Sequence, residues 1–286
     1  MEPEVPQLDA GLKALAEARH SDPFALLGRH REGSEEVIRT LLPEAREVLL
    51  EDTGEELQRI PESDLFQWQG AGGDLPPHYR LRWTDSEGRT HSFIDPYSFG
   101  PQLGDFDLHL FAEGRHWHAY RFLGSHIHEV DGIRGVLFSV WAPNAERVSV
   151  VGDFNQWDGR RHPMRAREGT GVWELFVPEL EPGTLYKFEL RARAGGPPFL
   201  KSDPYGRRFE LRPGTATVVE PPVEYPWGDG AWMEDRGSWD WLHAPMTVYE
   251  VHLGSWMQAE DGGFLGYREI ADRLVDYVTR MGFTHV

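Results

Sequence analysis

The chain contains no cysteine, which excludes a disulfide framework and a thiolate metal site and fits a reducing compartment. Cations are scarce beside acids: 29 Lys and Arg stand against 47 Asp and Glu in 286 residues, a formal charge of −18. Polyanions are repelled by such a chain, so neither nucleic acid nor an anionic membrane is expected as its main partner. Apolar runs are short, and none approaches the roughly 18 residues of a membrane-spanning helix. Met1 to Ala10 is acidic and broken by prolines, without the basic and apolar regions of a signal peptide. A cytoplasmic protein is the expectation. The sequence also has no Gly-rich phosphate loop, no Gly-x-Ser-x-Gly elbow and no His-Glu-x-x-His motif, and no cofactor is expected. Carboxylates are abundant, but no spacing pairs any two across a cleft.

Glycine, proline and tryptophan are plentiful, at 31, 21 and 11 residues. Gly and Pro punctuate short strands, and Trp serves to pack or stack flat surfaces. Length alone predicts about two domains. An internal repeat sharpens this. Leu26-Leu27-Gly28-Arg29-His30 returns as Phe122-Leu123-Gly124-Ser125-His126, and Leu42-Pro43-Glu44-Ala45 returns as Ala142-Pro143-Asn144-Ala145. Tyr79-Arg80-Leu81 is answered by Tyr186-Lys187-Phe188, and Asp95-Pro96-Tyr97 by Asp203-Pro204-Tyr205. These landmarks, in the same order, predict two tandem copies of one domain of about 100 residues.

Each copy reads as β. Val37–Leu41, Val136–Val140, Val148–Val151 (stopped by Gly152-Asp153) and Val172–Val177 (closed by Pro178) are short runs rich in β-branched and aromatic types. Leu185–Leu190 alternates, with Tyr186, Phe188 and Leu190 on one face and Lys187 and Glu189 on the other. Strands at this spacing argue for β-sandwiches of about seven strands, and each Asp-Pro-Tyr cannot continue a central strand. Two helices interrupt the pattern. The first is expected from an Asp9 N-cap to about Arg19, and the second from about Tyr267 to Met281, with Gly282 at its C-terminal end. Met246–Val251 before the second helix and Phe283–Val286 after it read as strands. That is a βα unit opening a parallel sheet, too little for a domain, so the C-terminal end reads as truncated.

The sharpest local motif is Gly152-Asp153-Phe154-Asn155-Gln156-Trp157-Asp158. An indole beside a tight turn can stack on the apolar face of a neutral sugar while an Asn amide satisfies hydroxyls. Trp157 reads equally well as a packing residue that anchors the turn. Lys187 can donate to a sugar hydroxyl, although a solvated lysine opposite an apolar face is the favoured alternative. Tyr249, in Tyr249-Glu250-Val251-His252-Leu253-Gly254-Ser255-Trp256, sits where a first barrel strand would end and active sites are built; by pattern alone it is a core residue. His116-Trp117-His118 and His126-Ile127-His128 offer paired imidazoles without a third ligand, and are read as structural or exposed.

Phe138-Ser139-Val140-Trp141-Ala142-Pro143-Asn144-Ala145, the Gly152–Asp158 turn and Tyr186-Lys187-Phe188 together resemble the glycogen- and starch-binding-like module of branching and debranching enzymes. The tandem arrangement narrows the likeness, as do Asp22-Pro23-Phe24, Asp95-Pro96-Tyr97-Ser98-Phe99-Gly100 and the Tyr249–Trp256 string followed by Tyr267-Arg268-Glu269-Ile270-Ala271. The whole is similar to the bacterial 1,4-α-glucan (glycogen) branching enzymes with two N-terminal β-domains. The resemblance implies a mainly β chain: two tandem immunoglobulin-like β-sandwiches followed by the first βα unit of a truncated (β/α)8 barrel. It divides the chain into residues 1–125, 126–228 and 229–286.

The implied chemistry is a retaining glycosyl transfer that cleaves an α-1,4 bond and re-forms an α-1,6 branch, on α-glucan as partner. The family's catalytic Asp, Glu and second Asp fall beyond residue 286, so the chain alone is expected to be inactive. Tyr249 matches a donor-subsite aromatic, and Trp157 and Lys187 match the sugar-contacting Trp and Lys of related modules. Those relatives carry a second stacking Trp on the loop after the Lys strand, where this sequence reads Gly195-Gly196-Pro197-Pro198-Phe199. A stand-alone glucan-binding scaffold and the N-terminal part of a debranching hydrolase are the competing readings, the latter opposed by the two-copy repeat. Oligomeric state is not legible.

Overall fold

A computed structural model describes residues 8–71, 75–221 and 225–286. The chain divides between residues 223 and 224 into two compact units. In the first, the short apolar runs form antiparallel sheets. β1 (Gly28–Glu32), β2 (Glu35–Leu41), β3 (Glu47–Leu50), β4 (Gln58–Arg59), β5 (Leu65–Gly70), β6 (Arg80–Thr84) and β7 (Thr90–Ile94) make two sheets, ordered β1-β2-β5-β4 and β3-β6-β7. Ile38, Phe66 and Trp68 of one meet Val48, Leu50, Leu81 and Trp83 of the other in a shared core. The next strands are β8 (Gly124–Val130), β9 (Ile133–Trp141), β10 (Ala145–Gly152), β11 (Arg165–Arg167), β12 (Val172–Pro178), β13 (Leu185–Ala192), β14 (Phe199–Lys201), β15 (Arg208–Phe209) and β16 (Thr217–Val218). They form sheets β8-β9-β12-β11 and β10-β13-β16-β15, with β14 paired to β13. Phe138, Trp173 and Leu175 of the first meet Val148, Val150 and Phe188 of the second.

The order β1-β2-β5-β4 recurs as β8-β9-β12-β11, so the sequence repeat is a repeat of topology. Its landmarks are fixed by hydrogen bonds. Tyr79 Oη donates to Asp95 Oδ2 at 2.5 Å, and Tyr186 Oη donates to Asp203 Oδ2 at 2.5 Å. The free oxygen of each carboxylate accepts the backbone N–H of Tyr97 (3.0 Å) or Tyr205 (2.7 Å), which turns the chain after the Asp-Pro step. Burial pushes Asp95 up to about 6, and Asp203 upward too. Gly28 (φ +86°) and Gly124 (φ +104°) lie in the left-handed region, and a Cβ at Gly28 would stand 2.5 Å from the Tyr97 carbonyl oxygen. Two residues on, His30 and His126 each bond the carbonyl of Leu27 (2.8 Å) or Leu123 (3.0 Å) through Nε2.

The continuous apolar runs belong to strands covered on both faces. On β12, Trp173, Leu175 and Val177 enter the core of their own sheet pair. Val172 and Phe176, with Leu137 of β9, pack on Phe99, Leu103, Leu108 and Phe122 of the segment joining the copies. That segment contains α2 (Asp105–Ala112), which follows α1 (Ala10–Ala16) in the chain. Glu174, 2% exposed, lies under it and accepts the backbone N–H of Leu103 (2.8 Å) and Gln102 (3.2 Å) while pairing with Arg167 at 2.8 Å. Asp9 caps α1 through the Leu12 N–H at 2.8 Å, as expected, but the helix ends at Ala16, before Arg19. Ala18 turns to φ +54° there, which stops the helical ladder.

The second unit holds α3 (Gly230–Asp235), α4 (Leu253–Trp256) and α5 (Tyr267–Met281). α5 has the expected bounds: Glu269 accepts the Gly266 N–H at 2.8 Å, Ile270, Leu274 and Val278 are buried, and Gly282 closes it at φ +78°. The strand expected over Met246–Val251 is reduced to one parallel bridge, Val248 to His285, supported by Tyr249 N–H to His285 O at 2.9 Å. A parallel strand is sustained by neighbours and by cover on both faces, and among the described residues this pair has no further strand beside it.

Candidate functional site

β10 ends at Gly152, and the turn that follows is held from inside. Asn155, 1% exposed, accepts the Gly152 N–H at 2.9 Å, donates to the Val150 carbonyl at 2.9 Å and donates to His162 Nδ1 at 3.0 Å. Burial, with Arg161 adding to it, pushes the His162 imidazole down to about 3, so it is neutral and free to accept. The expectation that an Asn amide here serves sugar hydroxyls is therefore corrected: Asn155 spends its amide on the turn. Its clamp forces Gln156 and Trp157 both to φ +60°, a conformation that costs non-glycine residues energy and that recurs at ligand sites. The Trp157 backbone N–H returns to Gly152 O at 2.9 Å, and the half-buried indole donates Nε1–H to Asp153 Oδ1 at 2.8 Å. The indole is thus fixed at its polar edge.

Beneath the same loop, buried Arg147 donates to Gly159 O at 2.5 Å and Ser149 Oγ at 3.0 Å and pairs with Glu189 of β13, tying the loop to the sheet. The register Gly152 to Tyr186 and Val151 to Lys187 brings Lys187 to the strand end from which the Trp157 turn springs. Lys187 lies on the outer face, half-buried, and donates Nζ–H to Thr215 Oγ1 at 2.5 Å. Thr215 carries no sequence signal of this role, lying 28 residues away with no motif around it. Phe199 opens β14 instead of standing on a loop; it is exposed, with Lys201 Nζ 5.8 Å from its ring.

Tyr249 belongs to the second unit. Its hydroxyl accepts Trp256 Nε1–H at 2.8 Å, and its ring packs on Tyr277 and Phe283 at 5.4 and 5.0 Å. The imidazole pairs are engaged locally: His116 bonds Asp107 at 2.8 Å, His118 contacts the Tyr120 hydroxyl at 3.3 Å, and His126 bonds Leu123 O. Among the described residues no group of three His, Cys, Asp or Glu is placed to hold a metal, and no helix is long and apolar enough to cross a membrane.

In the first copy the counterpart of Lys187 is Arg80. It is bound by Glu179 of the second copy at 2.6 and 3.2 Å and by Glu51 at 3.4 Å, so this position joins the two copies.

Residues 122–206 match the family described as Carbohydrate-binding module 48 (Isoamylase N-terminal domain). Residues 9–97 match the alpha-1,4-glucan branching enzyme GlgB, N-terminal domain. The chain is 56% identical over 280 residues to the 1,4-alpha-glucan branching enzyme GlgB of Methylococcus capsulatus, covering 98% of this chain and 38% of that protein. The enzyme of the same description from Nitrosococcus oceani is 54% identical over 286 residues (100% and 38%), and that from Cellvibrio japonicus 50% over 289 residues (98% and 39%). The chain thus spans less than two fifths of the length of these relatives. It belongs, over nearly its whole length, with the N-terminal part of the GlgB 1,4-alpha-glucan branching enzymes.

Proposed function

We propose that the chain serves a 1,4-α-glucan branching enzyme as its glucan-positioning N-terminal part. In this reading the whole enzyme cleaves an α-1,4 bond and re-forms it as an α-1,6 branch through a glycosyl-enzyme, with catalytic carboxylates outside these residues. The chain falls into two tandem immunoglobulin-like sandwiches, residues 1–125 and 126–228, with the seam at the start of β8. Residues 229–286 open a (β/α)8 barrel, where Tyr249 lines a donor-sugar subsite. The parallel bridge beside α5 supports that assignment. A cysteine-free composition suits a cytoplasmic setting.

The glucan contact is assigned to the second sandwich, through Trp157 and Lys187. One observation carries it: an indole held half-exposed on a strained, internally clamped turn, at the strand end where Lys187 stands, within the segment that matches a carbohydrate-binding module. The first sandwich braces, since Arg80 is consumed in joining the copies. Calorimetric titration with maltoheptaose tests this. Trp157→Ala is expected to weaken binding about tenfold, from roughly 1.5 kcal/mol of lost stacking. An unchanged dissociation constant would return Trp157 to a packing role.

A further inference from the structure

His78 stands where the two copies meet inside the first unit. Its ring stacks on Phe99 at 3.9 Å with 7° between the planes, and Phe99 meets Phe176 of the second copy edge-on at 4.8 Å. The two ring nitrogens face different partners. Nε2 lies 3.0 Å from Oδ2 of Asp131, in the turn between β8 and β9 of the second copy. Nδ1 lies 3.0 Å from Oγ of Ser98, in the turn that follows Asp95. The His78 side chain is 12% exposed, so these partners stand in for water around most of the ring.

The proton at each nitrogen follows from its partner. A carboxylate only accepts, so Nε2 carries a proton whether the ring is charged or neutral. Ser98 has one hydroxyl proton, which it gives to the Asp95 carbonyl at 2.7 Å. That carbonyl also accepts the Ser98 backbone N–H at 3.1 Å, so it keeps a donor when the hydroxyl turns away. With Ser98 turned to Asp95, Nδ1 must donate and the ring is an imidazolium. With Ser98 turned to Nδ1, the ring is neutral. Both arrangements are fully hydrogen-bonded, and they differ by one proton on Nδ1.

The charged arrangement binds the copies more tightly, because it makes the Asp131 contact an ion pair and lays a cation on the Phe99 face. The other charged groups nearby are occupied with one another. Arg80 is held by Glu51 and Glu179, the Asp95 carboxyl by Tyr79, and Glu129 stands opposite Arg134 in the β8–β9 hairpin. His128 lies beyond, against the Phe176 ring at 6.1 Å. Among the described residues none of these bonds the His78 ring.

We propose that His78 is a proton-operated clasp between the two copies. Nε2–H stays on Asp131, a proton is gained or lost at Nδ1, and the Ser98 hydroxyl turns with it. The clasp is complete at low pH and weakens as pH rises through the imidazole range of about 5 to 8, the sign for a histidine that gains an anionic partner. It works beside the Arg80–Glu179 pair, whose guanidinium stays charged throughout. Raising the pH therefore slackens one of two straps across the joint.

Nitrogen-15 correlation spectra of the histidine rings in the full chain test this, with His78 assigned from the His78→Phe variant, which keeps an aromatic ring on Phe99. At pH 8 the ring is expected as the Nε2–H tautomer, and at pH 5 with both nitrogens protonated. An Nδ1–H tautomer at pH 8, or a ring that does not change between the two, would overturn the clasp. Urea unfolding of wild type, His78→Phe, Asp131→Asn and the double variant gives the coupling as a ratio of unfolding constants. About fivefold is expected at pH 5 and under about twofold at pH 8. Asp95 titrates in the same range, at about 6, but is common to all four proteins and cancels. Equal coupling at both pH values, or none at pH 5, overturns the proposal.

Discussion

Replacing Asn155 by alanine removes an amide that makes three hydrogen bonds while 1% exposed. The Gly152 N–H and the Val150 carbonyl lose their Asn155 partner at the end of β10. At about 1–3 kcal/mol for each stranded group, the loss is about 2–6 kcal/mol, and about 3 is expected after local relaxation. For a unit of this size that lowers the melting temperature by roughly 6–12 °C. Far-UV circular dichroism melts and urea titrations measure it. Gln156→Gly is the companion variant: it relieves one left-handed residue without touching the clamp, and is expected to stabilise by up to ~1 kcal/mol. Should Asn155→Ala cost under about 1 kcal/mol, the amide is not the clamp, and the account of why Trp157 is held in place is wrong.

Gly28→Ala places a methyl 2.5 Å from Tyr97 O at φ +86°, whereas Gly33→Ala, at φ +65°, meets nothing within 4 Å. The first is expected to cost at least about 2 kcal/mol and the second about 1, and equal costs would show that the Tyr97 contact relaxes freely. Asp95 keeps its proton in the folded state up to about pH 6, against 3.8 for the ordinary carboxyl. Its contribution is therefore complete below the ordinary value and is lost as pH rises through about 6, by at most about 3 kcal/mol at 1.36 kcal/mol per pH unit. Asp95→Asn should flatten that part of the stability curve between pH 4 and 7, relative to wild type; parallel curves would contradict it. The Arg80–Glu179 pair is 34% and 47% exposed. A double-mutant cycle should give about 0.5–1 kcal/mol at low salt and nearly nothing at about 1 M, so a salt-independent coupling would refute its surface character.

Much of this fold was legible because its landmarks carry their own chemistry. Tyr79 with Asp95, and Tyr186 with Asp203, stand out in sequence since a hydroxyl–carboxylate pair turns each copy in the same place. α5 declares itself by a spaced apolar stripe and its closing glycine. The role of Asn155 is not legible in the sequence, because an Asn in a loop gives no sign of whether its amide faces solvent or the chain's own backbone. The covering of β12 on both faces, the Lys187–Thr215 bond and the His78–Asp131 contact depend on partners far along the chain. Met246–Val251 has strand-like composition, yet the ladder it needs is not supplied by its own residues.

The module match begins at residue 122, but the surface it describes is not self-sufficient. Phe176, Val172 and Leu137 are kept from water by Phe99, Leu103 and Leu108, and Glu174 is neutralised in part by backbone N–H groups of Gln102 and Leu103. A chain trimmed to the matched residues would bare an apolar patch around a carboxylate that keeps Arg167 but loses both backbone N–H donors, and would be prone to self-association. The practical boundary for an independently folding second sandwich therefore lies upstream of the seam, near Asp95, so that the joining segment stays with the sheet it covers.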